Sequence, residues 1–277
     1  MPIGSLDVIN NFPYQDIRDY YAKWYRPDLQ GIMIVGDINV DEMEAKLKKV
    51  FADVKAPVNP AERIYYPVAD NQEPQIFIGT DKEIETPSIS FFFKSEAFPD
   101  SLKNTINYYG IQYMLSMGIS MLNSRLAEIR QQADPPFTGA SAGYGDFFVA
   151  KTKSAFGIDA SSKIGGIELA MKTILEEAER ARRFGFTETE YDRARANYLQ
   201  RVESAYNERE KMKNDTYVNE YISNFLDNEP MPGIEYEYAM MNKLAPNIPV
   251  TAINQVMQQL ITDNNQVVLL AGPEKEG

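Results

Sequence analysis

A proline-rich segment, Ala56–Pro74, divides the sequence into two parts of different character. It holds four prolines among polar residues, and its apolar side chains follow neither a helical nor a strand period. Proline lacks a backbone N–H and fixes its own φ, so such a segment favours extended chain. We therefore predict a short part at residues 1–56, a linker at 57–74 and a larger domain at 75–277. The alternative is a long surface loop within one domain.

The part before this segment has the pattern of a helix, a strand and a second helix. Aromatic side chains recur with helical spacing over Tyr20–Tyr25, and Pro27 ends that helix. Ile32–Val35 is a short apolar run, which predicts a covered strand. Val40–Phe51 again shows helical spacing of its apolar residues, which predicts an amphipathic helix.

The larger part mixes strands and helices. Gly185 predicts a helix end, and Thr187 with Glu190 forms the capping-box pattern that begins the next helix. We predict an α+β fold in which a largely antiparallel sheet has helices packed on one face. The predicted strands and β hairpin or meander are Gln75–Thr80, Ser88–Lys94, Phe137–Phe148, Lys153–Ala160 and Gln266–Ala271. The predicted helices are Ser101–Arg130, Ile167–Phe184, the one after Thr187, Asp215–Leu226, Tyr236–Leu244 and Thr251–Leu260, with Thr251 as a cap.

Composition excludes several kinds of chemistry. The chain of 277 residues has a net charge of −12, which argues against a nucleic-acid-binding surface, since phosphate recognition depends on Lys and Arg. It contains no histidine and no cysteine, so it has no Ser-His-Asp triad, no thiol nucleophile and no His- or Cys-ligated zinc. No apolar run approaches the length of a membrane span.

Four segments in order resemble the insulinase/pitrilysin family of zinc peptidases, the inverzincins. The first runs from WYRP through an apolar stretch ending VGD to a helix that closes in F-x-D-V. The second is LNSRLAEIR followed by PFTGASAGYGDF, similar to a helix end and a following strand of the family. The third is GFTETEYDRARANYLQ, similar to a family helix start, and the fourth is the closing strand VVLLAGP. The resemblance covers nearly the whole chain.

This resemblance implies a division of labour between paired domains. In the family, one domain carries H-x-x-E-H and binds zinc, while its partner keeps the fold without the metal site. Residues 1–56 would then end a catalytic domain, and 75–277 would be a complete inactive peptidase-like domain. We expect no catalytic or metal-binding residue in this chain, which would be inactive alone, and zinc in the parent protein. The implied partners are the catalytic domain of the same parent and a peptide or protein substrate that the two domains enclose.

The N-terminal sequence has neither the basic region nor the apolar core of a signal peptide. By the resemblance, an export signal would lie outside this sequence. Localisation therefore stays open between the cytoplasm and an extracytoplasmic compartment such as the periplasm.

The resemblance also points to two residues for substrate binding. Some family members place an Arg, and a Tyr seven residues later, against the substrate from the non-catalytic side. The matching positions here are Arg130 and Phe137. Phe137 lacks the phenol and cannot donate a hydrogen bond to a substrate carbonyl. The alternative is that Arg130 is a helix-end cation and Phe137 a core aromatic.

Two other functions remain open on the sequence. The chain could be a structural or assembly module that kept a peptidase-like fold without a proteolytic role, or an unrelated α+β binding domain. An H-x-x-E-H motif in preceding residues of the parent would favour the peptidase, and its absence would favour the assembly module.

Overall fold

The computed structural model describes residues 4–274, which form two compact units. The first unit comprises the residues up to Ile64 together with Met212–Glu229. The second comprises Tyr65–Lys211 and the residues from Pro230 onward. Residues 1–3 and 275–277, at the ends of the predicted ranges 1–56 and 75–277, lie outside the described residues.

The described part contains ten α-helices and one five-stranded sheet. The helices are α1 (Leu6–Asn11), α2 (Tyr14–Trp24), α3 (Val40–Val50), α4 (Asp100–Lys103), α5 (Ile106–Arg130), α6 (Ile167–Phe184), α7 (Glu188–Asn207), α8 (Asn214–Asp227), α9 (Ile234–Leu244) and α10 (Val250–Leu260). The strands are β1 (Gln75–Asp81), β2 (Ser88–Glu96), β3 (Gly139–Phe147), β4 (Ala150–Ser161) and β5 (Gln266–Pro273). No described helix is long and apolar enough to cross a bilayer.

The first unit consists of helices α1, α2, α3 and α8 with the segments that join them. The helices predicted around Tyr20 and after Val40 are confirmed. The strand predicted at Ile32–Val35 is wrong: this segment has no regular secondary structure and pairs with no strand in the described part of the chain. A strand requires hydrogen bonds to a neighbour, and without one Ile32 remains 54% exposed.

The sheet belongs to the second unit and has the strand order β1-β5-β2-β4-β3. Strands β1 and β5 run parallel, and every other neighbouring pair is antiparallel. The hairpin predicted over Phe137–Ala160 is confirmed as β3 and β4. The α+β class with a largely antiparallel sheet is therefore confirmed.

Alternation along β2 and β3 separates a buried face from a more exposed one. On β2, Ile89, Phe91 and Phe93 are buried, as are Phe156 and Ile158 on the neighbouring β4. These side chains join the core formed with helices α5, α6, α7, α9 and α10. On β3, Ser141, Gly143 and Gly145 of the opposite parity are exposed, whereas on β4 every residue from 153 to 158 is buried. On β2, the buried apolar side chains occupy every second position and therefore share one face.

The long helix predicted over Ser101–Arg130 is divided in the structure. Helix α4 ends at Lys103, and the Thr105 Oγ1 accepts a hydrogen bond from the Tyr108 N–H at 3.2 Å, which starts α5. Within α5, Gly118 allows close packing, because a Cβ there would lie 2.5 Å from the Met257 Sδ of α10. Helices α5 and α10 therefore approach closely where the sequence offers a glycine.

The corner between α6 and α7 follows the sequence prediction. Gly185 ends α6 with a φ of 68°, a conformation that other residues adopt at a cost. Thr187 and Glu190 form both hydrogen bonds of the capping box at the start of α7. The cap predicted at Thr251 is wrong: α10 begins one residue earlier, after Pro249, without a side-chain cap. Pro249 occupies the N-cap position in an extended conformation and offers no side-chain acceptor to the first turn.

Candidate functional site

The donor set of this chain does not fit a peptidase zinc site. The sequence has no imidazole and no thiolate to offer. Within residues 4–274, no three acidic side chains converge where a metal ion could bind.

Arg130 and Phe137 occupy different environments. Arg130 is the last residue of α5 and is exposed. Its side chain makes no hydrogen bond or ion pair with any residue in the described ranges. Phe137 is 1% exposed and belongs to the core. The guanidinium of Arg130 is thus available to a ligand, whereas the ring of Phe137 is enclosed by protein.

Strand β3 lies at one end of the sheet order, and α5 packs beside it. The side chain of Asn123 bonds to both main-chain groups of one β3 residue. Its Oδ1 accepts from the Ala142 N–H at 2.7 Å, and its Nδ2 donates to the Ala142 carbonyl at 3.0 Å. A carboxamide offers the same donor and acceptor as a peptide group, so Asn123 takes the place of a neighbouring strand at this point.

A groove of about 650 Å³ follows this edge. Small side chains make its α5 wall, and β3 closes the other side. The lining residues are Ser116, Ile119, Ser120, Asn123, Ser124, Ala127, Gly143 and Tyr144. Arg130 and Gly139 do not line this groove: Arg130 follows Ala127, the last lining residue of α5, by three positions, or about 5 Å along the helix axis, and Gly139 begins β3.

Glycines leave the face of β3 open. A Cβ added at Gly139, Gly143 or Gly145 would meet no atom within 4 Å. These positions alternate with Ala142, which points into the core. A strand that exposes hydrogens instead of side chains permits close approach by another backbone.

A second arginine near the end of α5 has an internal role. The Nε and Nη2 of Arg125 donate to the two carboxylate oxygens of Glu190 at 2.6 and 3.0 Å. Its Nη2 also donates to the Gly185 carbonyl at 2.9 Å. The guanidinium lies 4.5 Å from the centre of the Phe186 ring. Arg125 therefore joins α5 to the corner between α6 and α7.

Glu190 is held as a carboxylate by these neighbours. The hydrogen bond from Arg125 lowers the pKa of Glu190 to about 2, and the hydrogen bonds from Thr187 act in the same direction. The sequence motif LNSRLAEIR contains Arg125 and Arg130, but it does not show which of them forms an ion pair within the protein. Sequence reasoning missed Asn123 and Arg125 as positioning residues, because their partners are 19 and 65 positions away.

The family model and the similar proteins all indicate the same family. The model of the peptidase M16 inactive domain matches residues 11–198. A zinc protease PQQL-like protein of Arabidopsis thaliana is 27% identical over 275 residues, which cover 99% of this chain and 25% of that protein. This chain thus spans about a quarter of the length of that relative.

Solved structures share the fold. The periplasmic protease PqqL from Escherichia coli matches 98% of this chain and 29% of its own with a TM-score of 0.82 at 21% identity. The peptidase M16 inactive domain from Pseudomonas fluorescens matches 98% of this chain and 60% of its own with a TM-score of 0.70 at 16% identity. The family match covers more than half of the sequence and includes the α5 end and β3. The chain belongs to the peptidase M16 inactive-domain family, as the resemblance to insulinase-like zinc peptidases predicted.

Proposed function

We propose that this chain is the non-catalytic region of a zinc metalloendopeptidase. It would bind and help enclose a peptide that an H-x-x-E-H domain outside this chain hydrolyses. Zinc would belong to that catalytic domain, since the donors present here do not fit it. As predicted from sequence, residues 1–56 would complete the catalytic domain and 75–277 would form the inactive domain.

One observation supports this proposal: Arg130 is an exposed arginine three positions, or about 5 Å along the helix axis, beyond Ala127 of the groove beside β3. A guanidinium forms strong hydrogen bonds to carboxylates and carbonyls because it presents several N–H donors in one plane. Glycines along β3 would allow a peptide backbone to come close. Together these features favour peptide binding without bond-breaking chemistry. Phe137 would act indirectly, because its burial in the core two residues before β3 would fix the start of that strand.

The test is Arg130→Ala in the complete parent protein, assayed with several peptides. We expect kcat/KM to fall about ten- to a hundredfold, the scale of a lost charged hydrogen bond of about 1.5–3 kcal/mol. Zinc content and melting temperature should stay the same, because Arg130 makes no ion pair with the described residues. Arg193→Ala is a matched control, since Arg193 is also an exposed helical arginine without a described ion pair.

An unchanged kcat/KM in the Arg130 variant would remove this residue from the substrate site. A parent protein without H-x-x-E-H and without peptidase activity would instead support the assembly module.

A further inference from the structure

Three phenylalanine rings form a cluster on the face of the sheet opposite the core. Phe92 alternates on β2 with the core residues Phe91 and Phe93, so its side chain projects from the other face. Its ring centre lies 5.7 Å from that of Phe147 and 5.3 Å from that of Phe148. The ring centres of Phe147 and Phe148 are 4.7 Å apart. We call these three rings, of Phe92, Phe147 and Phe148, the aromatic cluster.

The aromatic cluster adjoins backbone that has no side chains above it. The Phe92 ring lies against Gly157 of β4, where an added Cβ would be 3.0 Å from a ring carbon. Gly157 pairs with Gly143 of β3. Gly143, Gly145 and Phe147 occupy alternate positions of β3 and therefore share one face. The two glycines of β3, which are open to within 4 Å, thus lead directly to the rings.

The turn that contains Phe148 is unfavourable for a phenylalanine. Phe148 and Val149 form the turn between β3 and β4, and Phe148 has a φ of 55°. Such a φ brings the Cβ close to a carbonyl oxygen, so glycine and asparagine adopt it most readily. The other non-glycine residues of positive φ in the described part of the chain are asparagines: Asn59, Asn228 and Asn265. A strained residue whose ring is also exposed points to a function of that ring.

The exposed surface at the turn has the size that one side chain of a ligand covers. Phe148 is 60% exposed, which for a phenylalanine of about 200 Å² leaves about 120 Å². Val149 is 96% exposed and adds a surface of similar size. A stable interface between proteins buries about 800 Å² of each partner, so this turn is too small to hold a second copy of the chain. It fits one apolar side chain of a peptide whose backbone lies along β3.

The charged groups around the aromatic cluster pair with one another. Lys151 pairs with Asp146 at 3.3 Å beside the turn. Lys153 pairs with Asp70 at 2.9 Å and with Glu96. A charged side chain brought to the rings would lose water without gaining a free partner of opposite charge. The surroundings therefore favour an uncharged side chain.

We propose that the aromatic cluster is a subsite for an apolar side chain, preferably aromatic, of a peptide that lies along β3. The inference rests on the proposed function and adds a sequence preference to it. The glycines of β3 would admit the peptide backbone, and the rings of Phe147 and Phe148 would contact the side chain edge-to-face or offset-stacked. Phe148 would then determine specificity, which accounts for a phenylalanine in a strained turn.

Peptide binding to the purified chain tests this subsite without hydrolysis. The probes are host peptides of alanine and serine with nine residues, the length of β3, and one central guest residue. The guests are Phe, Leu, Lys and Ala, and the Kd of each is measured by NMR titration. We expect the Phe guest to bind about tenfold more tightly than the Ala guest, because it buries a ring, and the Lys guest to gain nothing. Amide shifts should include those of Gly143, Gly145 and Phe148.

Phe148→Asn removes the ring and keeps a residue that adopts a positive φ. The preference for Phe over Ala should fall below about twofold, while the affinity for the Ala guest stays the same. The Tm should stay within about 3 °C, since relief of strain offsets the lost ring contacts. Phe148→Tyr keeps the ring and should keep the preference. Phe184→Asn is the matched control, because Phe184 is also an exposed phenylalanine, 81% accessible at the end of α6.

Equal affinities for the Phe and Ala guests, or no binding of any guest, would overturn the subsite. A preference that survives in Phe148→Asn, or that Phe184→Asn also removes, would overturn it as well. A dimer that Phe148→Asn abolishes would assign the rings to a second copy instead.

Arg130→Ala distinguishes this inference from the proposed function. It should weaken every guest equally and leave the preference for Phe unchanged. Binding that depends on Arg130 but shows no preference would support the proposed function and overturn the subsite. A preference that depends on Phe148 in a chain whose binding ignores Arg130 would support the subsite and remove Arg130 from the peptide site.

Discussion

Replacing Glu190 by glutamine tests how α5 is joined to the corner between α6 and α7. The substitution keeps the size of the side chain but removes its charge. In the native chain, one carboxylate oxygen accepts from the Arg125 Nε, and the other accepts from the Arg125 Nη2 and from the Thr187 N–H. Glutamine offers one oxygen, and its amide N–H₂ group would face the donors of Arg125.

The expected loss follows from burial. The side chains of Arg125 and Glu190 are 12% and 19% exposed, so solvent screens this ion pair less than a surface pair. Hydrogen bonds to charged groups contribute about 1.5–3 kcal/mol, and we expect Glu190→Gln to lower the free energy of unfolding by about 2–3 kcal/mol. For a domain of this size that corresponds to a fall in Tm of about 5–10 °C.

Urea unfolding monitored by circular dichroism gives the measurement, and Arg125→Met completes a double-mutant cycle. We expect the double variant to lose at least about 1 kcal/mol less than the sum of the two single losses. Additive losses, or a loss below about 0.5 kcal/mol for Glu190→Gln alone, would refute the reasoning.

The same variant has a defined pH dependence. The pKa of Glu190 is lowered to about 2 in the folded chain, so its contribution to stability is complete above its ordinary unfolded pKa. That contribution should be lost as pH falls from about 4.5 to about 2. The difference in Tm between the native chain and Glu190→Gln should therefore shrink over this range and stay constant above it.

Three further substitutions test packing around α5. Gly118→Ala should cost about 1–3 kcal/mol, because its Cβ would overlap Met257, whereas Gly110→Ala should not destabilise, because a Cβ there meets no atom within 4 Å. Asn123→Ala should cost about 1–3 kcal/mol and speed hydrogen exchange at Ala142, since both main-chain bonds of that residue are lost. Equal Tm values for the two glycine variants, or unchanged Ala142 exchange, would contradict these expectations.

Local signals in the sequence predicted local structure well. Thr187 and Glu190 identify the start of α7 because both capping partners lie within four residues of each other. Gly185 identifies the end of α6 because glycine adopts the positive φ found there at little cost. Alternation along β2 predicts which face is buried, since side-chain direction in a strand has a period of two.

Structural features that depend on partners far away in the sequence could not be predicted. Ile32–Val35 has the composition of a strand, but whether it becomes one depends on a neighbouring strand. A helix at Asp215–Leu226 was predicted from the sequence, but the grouping of α8 with the first unit depends on tertiary contacts such as that of Phe225 with Gly31. Arg130 and Arg125 lie in one short sequence motif. Arg130 is exposed and Arg125 is paired with Glu190, because different residues pack around each.

Zinc binding and hydrolysis by the purified chain test most directly whether it is a binding region without chemistry of its own. The chain would be incubated with zinc, dialysed, analysed for metal content and assayed against a mixture of peptides. We expect no stoichiometric zinc and no zinc-dependent cleavage, since the sequence supplies neither histidine nor cysteine. One tightly held zinc ion per chain, with peptide cleavage that a chelator abolishes, would contradict the account.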